Sequence, residues 1–303
     1  MNHTAPTVRS FQKGKPKIRI KIGHNFSFVN NVVQTNNLHT VCEEARCPNI
    51  YECWERRTAT IMILGDTCTR ACGFCSVKTG KPTWNDPLES VRVAQAVKQM
   101  NLRHVVITSV DRDDLKDDYG SGVWAETVRQ IRQEIPKCTI EVLTPDFKGS
   151  DIALNRVFDA HPDIFSHNVE CAERISRRVR SQANWQRSLL VLKKSVRFGL
   201  RTKTGMMVGL GETKEEVVNT MEEVAEIGVE IFTVGQYLQP TKNHLPVERY
   251  VGPEEFRFYH DKGLEFGFKI IESGPLVRSS YHADEQARLF FDIGELPTYP
   301  SQG

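Results

Sequence analysis

The sequence lacks any long hydrophobic run. Its apolar stretches stop well short of the ~20 residues that span a bilayer, and no charged leader with an apolar core is visible. Membrane and secreted classes are therefore set aside, and a cytoplasmic location is expected. The nine histidines include no i, i+4 pair of the metalloprotease kind. No nucleophile–base triad signature is present either. A net charge of +2, with a pI near 8.1, is too mild for a nucleic-acid binder. Residues 1 to about 38 lack acidic side chains altogether. Arg9, Lys13, Lys15, Lys17, Arg19 and Lys21 fall in that stretch. It reads as a solvated arm or as a dock for an acidic protein partner.

What the chain does have is eight cysteines. Without a secretory leader they point to metal binding in a reducing compartment, not to a disulfide framework. Cys68, Cys72 and Cys75 follow the spacing C-x3-C-x2-C, directly after the apolar run Thr60–Leu64. Such a run reads as a buried strand, and α/β folds place their chemistry on the loop that follows. Three thiolates can hold three irons of a cubane cluster. The fourth iron then lacks a protein ligand and is open to a substrate or cofactor. Cys42, Cys47 and Cys53 form a second triplet, C-x4-C-x5-C, stiffened by Pro48. Structural zinc is the competing reading for it, but two separate triplets favour two clusters. Cys138 and Cys171 read as small buried hydrophobes.

Strand-like runs stand at 60–65, 104–110, 139–144, 164–169, 204–209, 231–238 and 269–275, with amphipathic helical runs between them. Asp86-Pro-Leu-Glu89 and Thr213-Lys-Glu-Glu216 read as capping boxes. The stripes Val93, Ala94, Val97, Met100 and Val217, Met221, Val224 read as core faces. Repeated strand–helix units imply an α/β fold of parallel strands with right-handed crossovers. The number of units suits a complete or partial barrel better than an open doubly wound sheet, although the spacing fits both. Either way the loops after the strands share one rim. The tail after Phe291 is expected to be loosely ordered.

A third motif, Arg278-Ser-Ser-Tyr-His-Ala283, joins the two cysteine loops. Together, from about Thr40 to Ala283, they resemble the lipoyl synthase family of the radical S-adenosylmethionine superfamily. The first cysteine loop is a superfamily mark, and the other two motifs are specific to the family. The resemblance implies a partial (β/α)6 barrel over 59–276. An N-terminal extension, 1–58, and a C-terminal extension, 277–303, would close over the site. It implies two 4Fe–4S clusters, one on Cys68, Cys72 and Cys75 that binds S-adenosyl-L-methionine, the other on Cys42, Cys47, Cys53 and Ser280. A 5′-deoxyadenosyl radical would remove hydrogen from carbons six and eight of a protein-bound octanoyl-lysine, and sulfur from the second cluster would be inserted at each. The implied partners are octanoylated lipoyl carriers, namely 2-oxoacid dehydrogenase acyltransferase subunits and the glycine cleavage H protein. An electron donor such as ferredoxin or flavodoxin is also implied.

An unactivated methylene has no acidic proton, so this chemistry falls to a cofactor, and the protein binds, orients and excludes water. A serine oxygen is a harder ligand for iron than thiolate, so Ser280, in the role the resemblance implies, is expected to be the weak corner of its cluster. Phe74 is expected near the adenine, and Thr108 and Ser109 at the methionyl amine or carboxylate. Asn168 and Glu170 share a face if the strand continues through them, and are expected at the ribose or amino group. Lys203 is a candidate for the carboxylate. Gly209 and Gly211 are candidates for close approach of the adenine.

Overall fold

The computed structural model describes Pro16 and residues 22–83 and 86–291. The basic residues Arg9, Lys13, Lys15, Lys17, Arg19 and Lys21, and the tail with Pro297 and Pro300, lie outside the described residues. Helix α1 (His24–Thr35), strand β1 (His39–Thr40) and helices α2 (Val41–Glu44) and α3 (Ile50–Glu55) precede the first parallel strand, β2 (Thr60–Ile63). A short pair, β3 (Thr67–Cys68) and β4 (Lys78–Thr79), brackets the first cysteine loop. Alternating units follow: α4 (Glu89–Gln99), β5 (His104–Ser109), α5 (Ser121–Glu134), β6 (Thr139–Leu143), α6 (Asp151–Phe158) and β7 (Ile164–Ser166). The remainder is α7 (Glu173–Val179), α8 (Trp185–Phe198), β8 (Arg201–Val208), α9 (Lys214–Ile227), β9 (Ile231–Gln236), α10 (Pro253–Glu265), β10 (Ile270–Gly274) and α11 (Ala283–Arg288).

The main sheet runs β1-β2-β5-β6-β7-β8-β9-β10. All neighbours are parallel except β1 against β2. The end strands β1 and β10 do not pair, so the barrel stays partial. It carries seven parallel strands, one more than a six-unit barrel, because β10 continues the β9–α10 unit. Outward residues such as Ile61, Ile63, Val105, Ile107, Val142 and Phe165 are fully buried under the helices, which is why these strands read as continuous apolar runs.

The inner face is different. Register sets Thr60 beside Val106, Met62 beside Thr108, Thr108 beside Leu143, and Gly205 beside Thr233. Below this mouth the barrel holds charge. Lys203 and Glu141 are both fully buried and pair at 3.0 Å, with the His104 ring 3.8 Å from Glu141. Apolar Ile164, Ile231 and Ile270 close the bottom against Ala287.

Two local expectations are corrected. Thr213 and Glu216 form the expected capping box, but Asp86 and Glu89 do not. Helix α4 begins only at Glu89, with Leu88 as its cap. The Glu89 carboxylate instead accepts the N–H groups of Leu64 and Gly65 at 2.7 and 3.2 Å. Those residues both have left-handed backbone, and their donors are otherwise hard to satisfy. The acid-free N-terminal stretch is not all solvated arm either. Val29, Val32 and Val33 of α1 share a buried face, as the i, i+3, i+4 spacing requires.

Candidate functional site

The loop from Cys68 to Cys75 is held from several elements. The Cys68 sulfur accepts N–H groups from Arg70 and Asp111 at 3.4 and 3.3 Å. Gly73 donates to the Val179 carbonyl at 2.8 Å and accepts from the Leu245 N–H at 2.9 Å. His244, an ordinary loop residue by sequence, bonds through Nε2 to the Cys75 carbonyl at 2.9 Å. The firmest tie is Arg70, which is buried. Its fork donates to both Asp113 oxygens at 2.9 and 2.8 Å and to Asp146 at 2.7 Å, and it pairs with Asp111 at 3.2 Å. Lys148 and Arg187 complete the cluster at 2.8 Å from Asp113 and 3.1 Å from Asp146. Burial, together with Asp146 and Asp113, holds the Asp111 carboxyl up near a pKa of about 6 against the pull of Arg70. Sequence reasoning passed over Arg70, although a lone Arg inside a cysteine loop followed by Asp111 and Asp113 is a readable signal.

A cavity of about 610 Å³ opens at the carboxyl ends of the strands, within the range of small-molecule sites. Cys68, Cys72, Cys75 and Phe74 form one wall. Thr108 and Ser109 line it, their hydroxyls donating to the Leu143 and Val110 carbonyls at 2.8 Å each. Asn168 and Glu170 also line it, but not as one strand. β7 stops at Ser166, and Glu170, with φ +68, makes an isolated bridge to Met206. Burial raises the Glu170 pKa while Arg180 opposes it.

Three expected contacts lie elsewhere. Lys203 points into the closed barrel interior and is neutralised by Glu141. Besides Arg70, a buried cation on the cavity wall is Arg180, whose guanidinium donates to the Asn168 carbonyl at 3.2 Å and the Ser188 hydroxyl at 3.0 Å. Gly209 and Gly211 lie off the cavity wall. A Cβ on Gly209 would stand 2.2 Å from the Gln236 amide, and one on Gly211 2.9 Å from Arg178. With φ of +94 and +103, they serve a turn closed by Glu212, whose carboxylate accepts the N–H groups of Gly209 and Leu210 at 2.7 and 2.9 Å.

The second triplet meets the same space. Cys42, Cys47 and Ser280 line the large cavity. They also line a small adjoining one of about 30 Å³ together with Cys53. All eight cysteines are free thiols. Burial lifts the Cys42 and Cys68 thiols to about 12 and 11, with neighbouring negative groups adding to it, and raises Cys47, Cys53, Cys72 and Cys75 as well. Thiols this reluctant to ionise need a cation of their own, which iron would supply if bound there. Arg278 lines both cavities. Burial pushes its pKa down while Cys47 opposes this. Among the described residues it finds only a carbonyl, that of Val277 at 2.6 Å. A guanidinium held this way suits an anionic neighbour. Among the described residues no three His, Cys, Asp or Glu side chains gather as ligands of a single ion. Each triplet of sulfurs lines a cavity, which fits a multi-iron group better than zinc.

Residues 62–224 match the radical SAM superfamily, and residues 12–47 match the N-terminal domain of lipoyl synthase of the radical SAM family. The lipoyl synthase of Rubrobacter xylanophilus is 56% identical over 278 residues, covering 90% of this chain and 86% of that protein. That of Christiangramia forsetii is 48% identical over 291 residues, covering 94% and 99%. The chain belongs to the lipoyl synthase family. Family membership carries with it radical S-adenosylmethionine chemistry, iron–sulfur clusters and sulfur insertion. Among solved structures, Streptococcus suis SuiB with S-adenosylmethionine bound aligns at a TM-score of 0.58 and 10% identity, over 75% of this chain and 54% of that one. Methylornithine synthase (PylB) aligns at 0.52 and 12% identity, over 84% of each. These two likenesses support the partial-barrel fold. No helix among the described residues is long and apolar enough to cross a membrane.

Proposed function

We propose that this chain inserts two sulfur atoms, drawn from a cluster on Cys42, Cys47, Cys53 and Ser280, into carbons six and eight of an octanoyl chain on a carrier-protein lysine. The observation that carries the reading is the shared cavity: Cys68, Cys72 and Cys75 border one space with Cys42, Cys47 and Ser280, and Cys53 lines the small cavity that adjoins it. When bound, the clusters and S-adenosylmethionine supply one-electron cleavage of the sulfonium, hydrogen removal and the sulfur itself. The side chains do the rest. Cys68, Cys72 and Cys75 fix the first cluster. Phe74 packs against the adenine, and Thr108, Ser109, Asn168 and Glu170 take the polar groups of the cofactor. Arg180 supplies the positive potential expected of Lys203. Met62, Leu143, Met206, Met207, Leu238 and Val277 give the octanoyl chain an apolar wall and exclude water and competing hydrogens. The three-part division at residues 58 and 276 follows from these roles. The carriers are the 2-oxoacid dehydrogenase acyltransferase subunits and the glycine cleavage H protein, with ferredoxin or flavodoxin as reductant, in the cytoplasm.

Anaerobic reconstitution with iron and sulfide should give two cubanes. Adding octanoyl-lysyl peptide, cofactor and reductant should then yield peptide with two added sulfurs by mass spectrometry. One cubane or none, or no 5′-deoxyadenosine, would overturn the assignment. Ser280→Cys should lower product yield while S-adenosylmethionine cleavage continues. Normal rate and yield would remove the weak-corner role.

A further inference from the structure

The two serines of the Arg278–Ala283 segment part company at the cavity. Ser280 lines the small cavity with Cys42, Cys47 and Cys53, and its hydroxyl accepts from Thr60 at 2.7 Å. Ser279 engages the other side, where its oxygen accepts from the Asn168 amide nitrogen at 2.6 Å. The Asn168 amide oxygen is buried without a hydrogen-bond partner, on a residue that lines the large cavity. One amide thus has its donor edge on the C-terminal strap and its acceptor edge buried over Gly205, on a residue that borders the cavity. Gly205 lies beneath. A Cβ there would stand 2.2 Å from the Thr233 hydroxyl, 3.2 Å from the Asn168 amide oxygen and 3.4 Å from the Ser279 hydroxyl. The glycine is what lets the strap and Asn168 meet.

The other ties of the strap run to the N-terminal cysteine segment. Asn49 donates to the Leu276 carbonyl at 2.7 Å. The Tyr281 hydroxyl and His282 bond Glu52 at 3.1 and 3.2 Å, and Arg56 pairs with Asp284 at 3.3 Å and with Glu285. Among the described residues, Asn168–Ser279 is the one side-chain hydrogen bond between this strap and a residue assigned to the cofactor.

We propose that Ser279 is a positioning residue for S-adenosylmethionine, acting through Asn168, so that cofactor binding and the seating of Ser280 beside Cys42, Cys47 and Cys53 are coupled. The inference rests on the assignment of Asn168 to the cofactor made above. With the strap seated, the amide is held in its rotamer before the cofactor arrives, and less ordering is required on binding. Coupling of this kind is reciprocal. A strap loosened at Ser280 draws Ser279 from Asn168 and weakens cofactor binding. Bound cofactor, in turn, holds Ser280 in place.

The test is equilibrium dialysis of labelled S-adenosylmethionine without reductant, on anaerobically reconstituted protein whose iron content and unfolding midpoint are checked. One neutral hydrogen bond predicts that Ser279→Ala weakens binding roughly two- to tenfold, while Ser279→Thr, which keeps the hydroxyl, binds as the parent does. Ser280→Ala should weaken binding by a comparable factor, and the double variant no more than Ser279→Ala alone, because the two act in series. Mössbauer spectroscopy of the unreduced protein gives a second readout: cofactor should alter the doublet of the Cys42–Cys47–Cys53 cluster in the parent and leave it unaltered in Ser279→Ala. Parent-like binding by Ser279→Ala, a null effect of Ser280→Ala, or effects that multiply in the double variant would each overturn the coupling. Failure of the parent itself to bind the cofactor would instead overturn the proposed function.

Discussion

Replacing Arg70 with Met offers the sharpest check on how the first cysteine loop is held. Three cations, Arg70, Lys148 and Arg187, face three carboxylates, Asp111, Asp113 and Asp146. Without Arg70 the cluster is left with two cations for three acids, and Asp146, almost wholly buried, keeps only Arg187. Removing one partner of a buried pair typically costs about 3–5 kcal/mol. The surviving cations and the readiness of Asp111 to take a proton place Arg70→Met at the lower end, about 3 kcal/mol. That is a large share of a typical fold's stability of about 5–15 kcal/mol. Urea unfolding measures it directly. Arg70→Lys should fall between, since an ammonium keeps the charge but not the fork. Adding Asp146→Asn to Arg70→Met should recover part of the loss by removing the stranded charge. A loss under about 0.5 kcal/mol, the size of an ordinary surface change, or no recovery in the double variant, would refute the electrostatic account. Iron bound per chain should fall with stability, because Arg70 sits between Cys68 and Cys72.

Gly235→Ala places a Cβ 2.1 Å from the Val277 carbonyl. The strap must shift, so iron on the second triplet should drop while S-adenosylmethionine cleavage persists; unchanged iron content speaks against this path for the strap. Neutralising Lys13, Lys15, Lys17 and Lys21 should raise KM for an octanoylated carrier in a salt-sensitive way and leave KM for octanoyl-lysyl peptide unchanged. Equal effects on both substrates argue against docking. Burial, aided by Lys203, holds His104 down at about 3. Burial likewise holds His167 down at about 4. Their unfolded value is about 6.5. As pH falls below that value the unfolded chain takes up protons first, so stability present above pH 6.5 drains away towards pH 4 and then 3. The unfolding midpoint of cluster-free protein should drop between pH 7.5 and 5, and less so in His104→Gln/His167→Gln; equal drops reject this origin.

Much of the fold was legible because most of the parallel strands are apolar on the outward face and the helices that follow carry a stripe. The runs at 104–110 and 231–238 match β5 and β9 to within two residues. Cysteine spacing likewise pointed to both triplets, whose members line the cavities because short loops keep them together. What stayed hidden depends on partners far along the chain. Lys203 looks like a free cation at a strand end until Glu141, 62 residues away, is seen opposite it. Glu89 looks like a cap until the left-handed turn at Leu64 and Gly65 needs its carboxylate. Gly209 and Gly211 read as candidates for close approach of the adenine because a missing side chain does not say what crowds that side of the turn. Arg180 gave no periodic signal at all, as it follows α7 and enters the cavity from the side.

The strap also sets an order of events. Ser280 meets Thr60 across 220 residues of chain, so a ribosome makes the entire barrel before it makes the residue proposed to finish the second cage. Domains emerge and organise from the N-terminal side during synthesis, and contacts this distant in sequence form late. On that proposal, Cys42, Cys47 and Cys53 wait for their fourth ligand through most of translation. Delivery of iron and sulfide there would then follow completion of the polypeptide, whereas the framework around Cys68, Cys72 and Cys75 is made earlier.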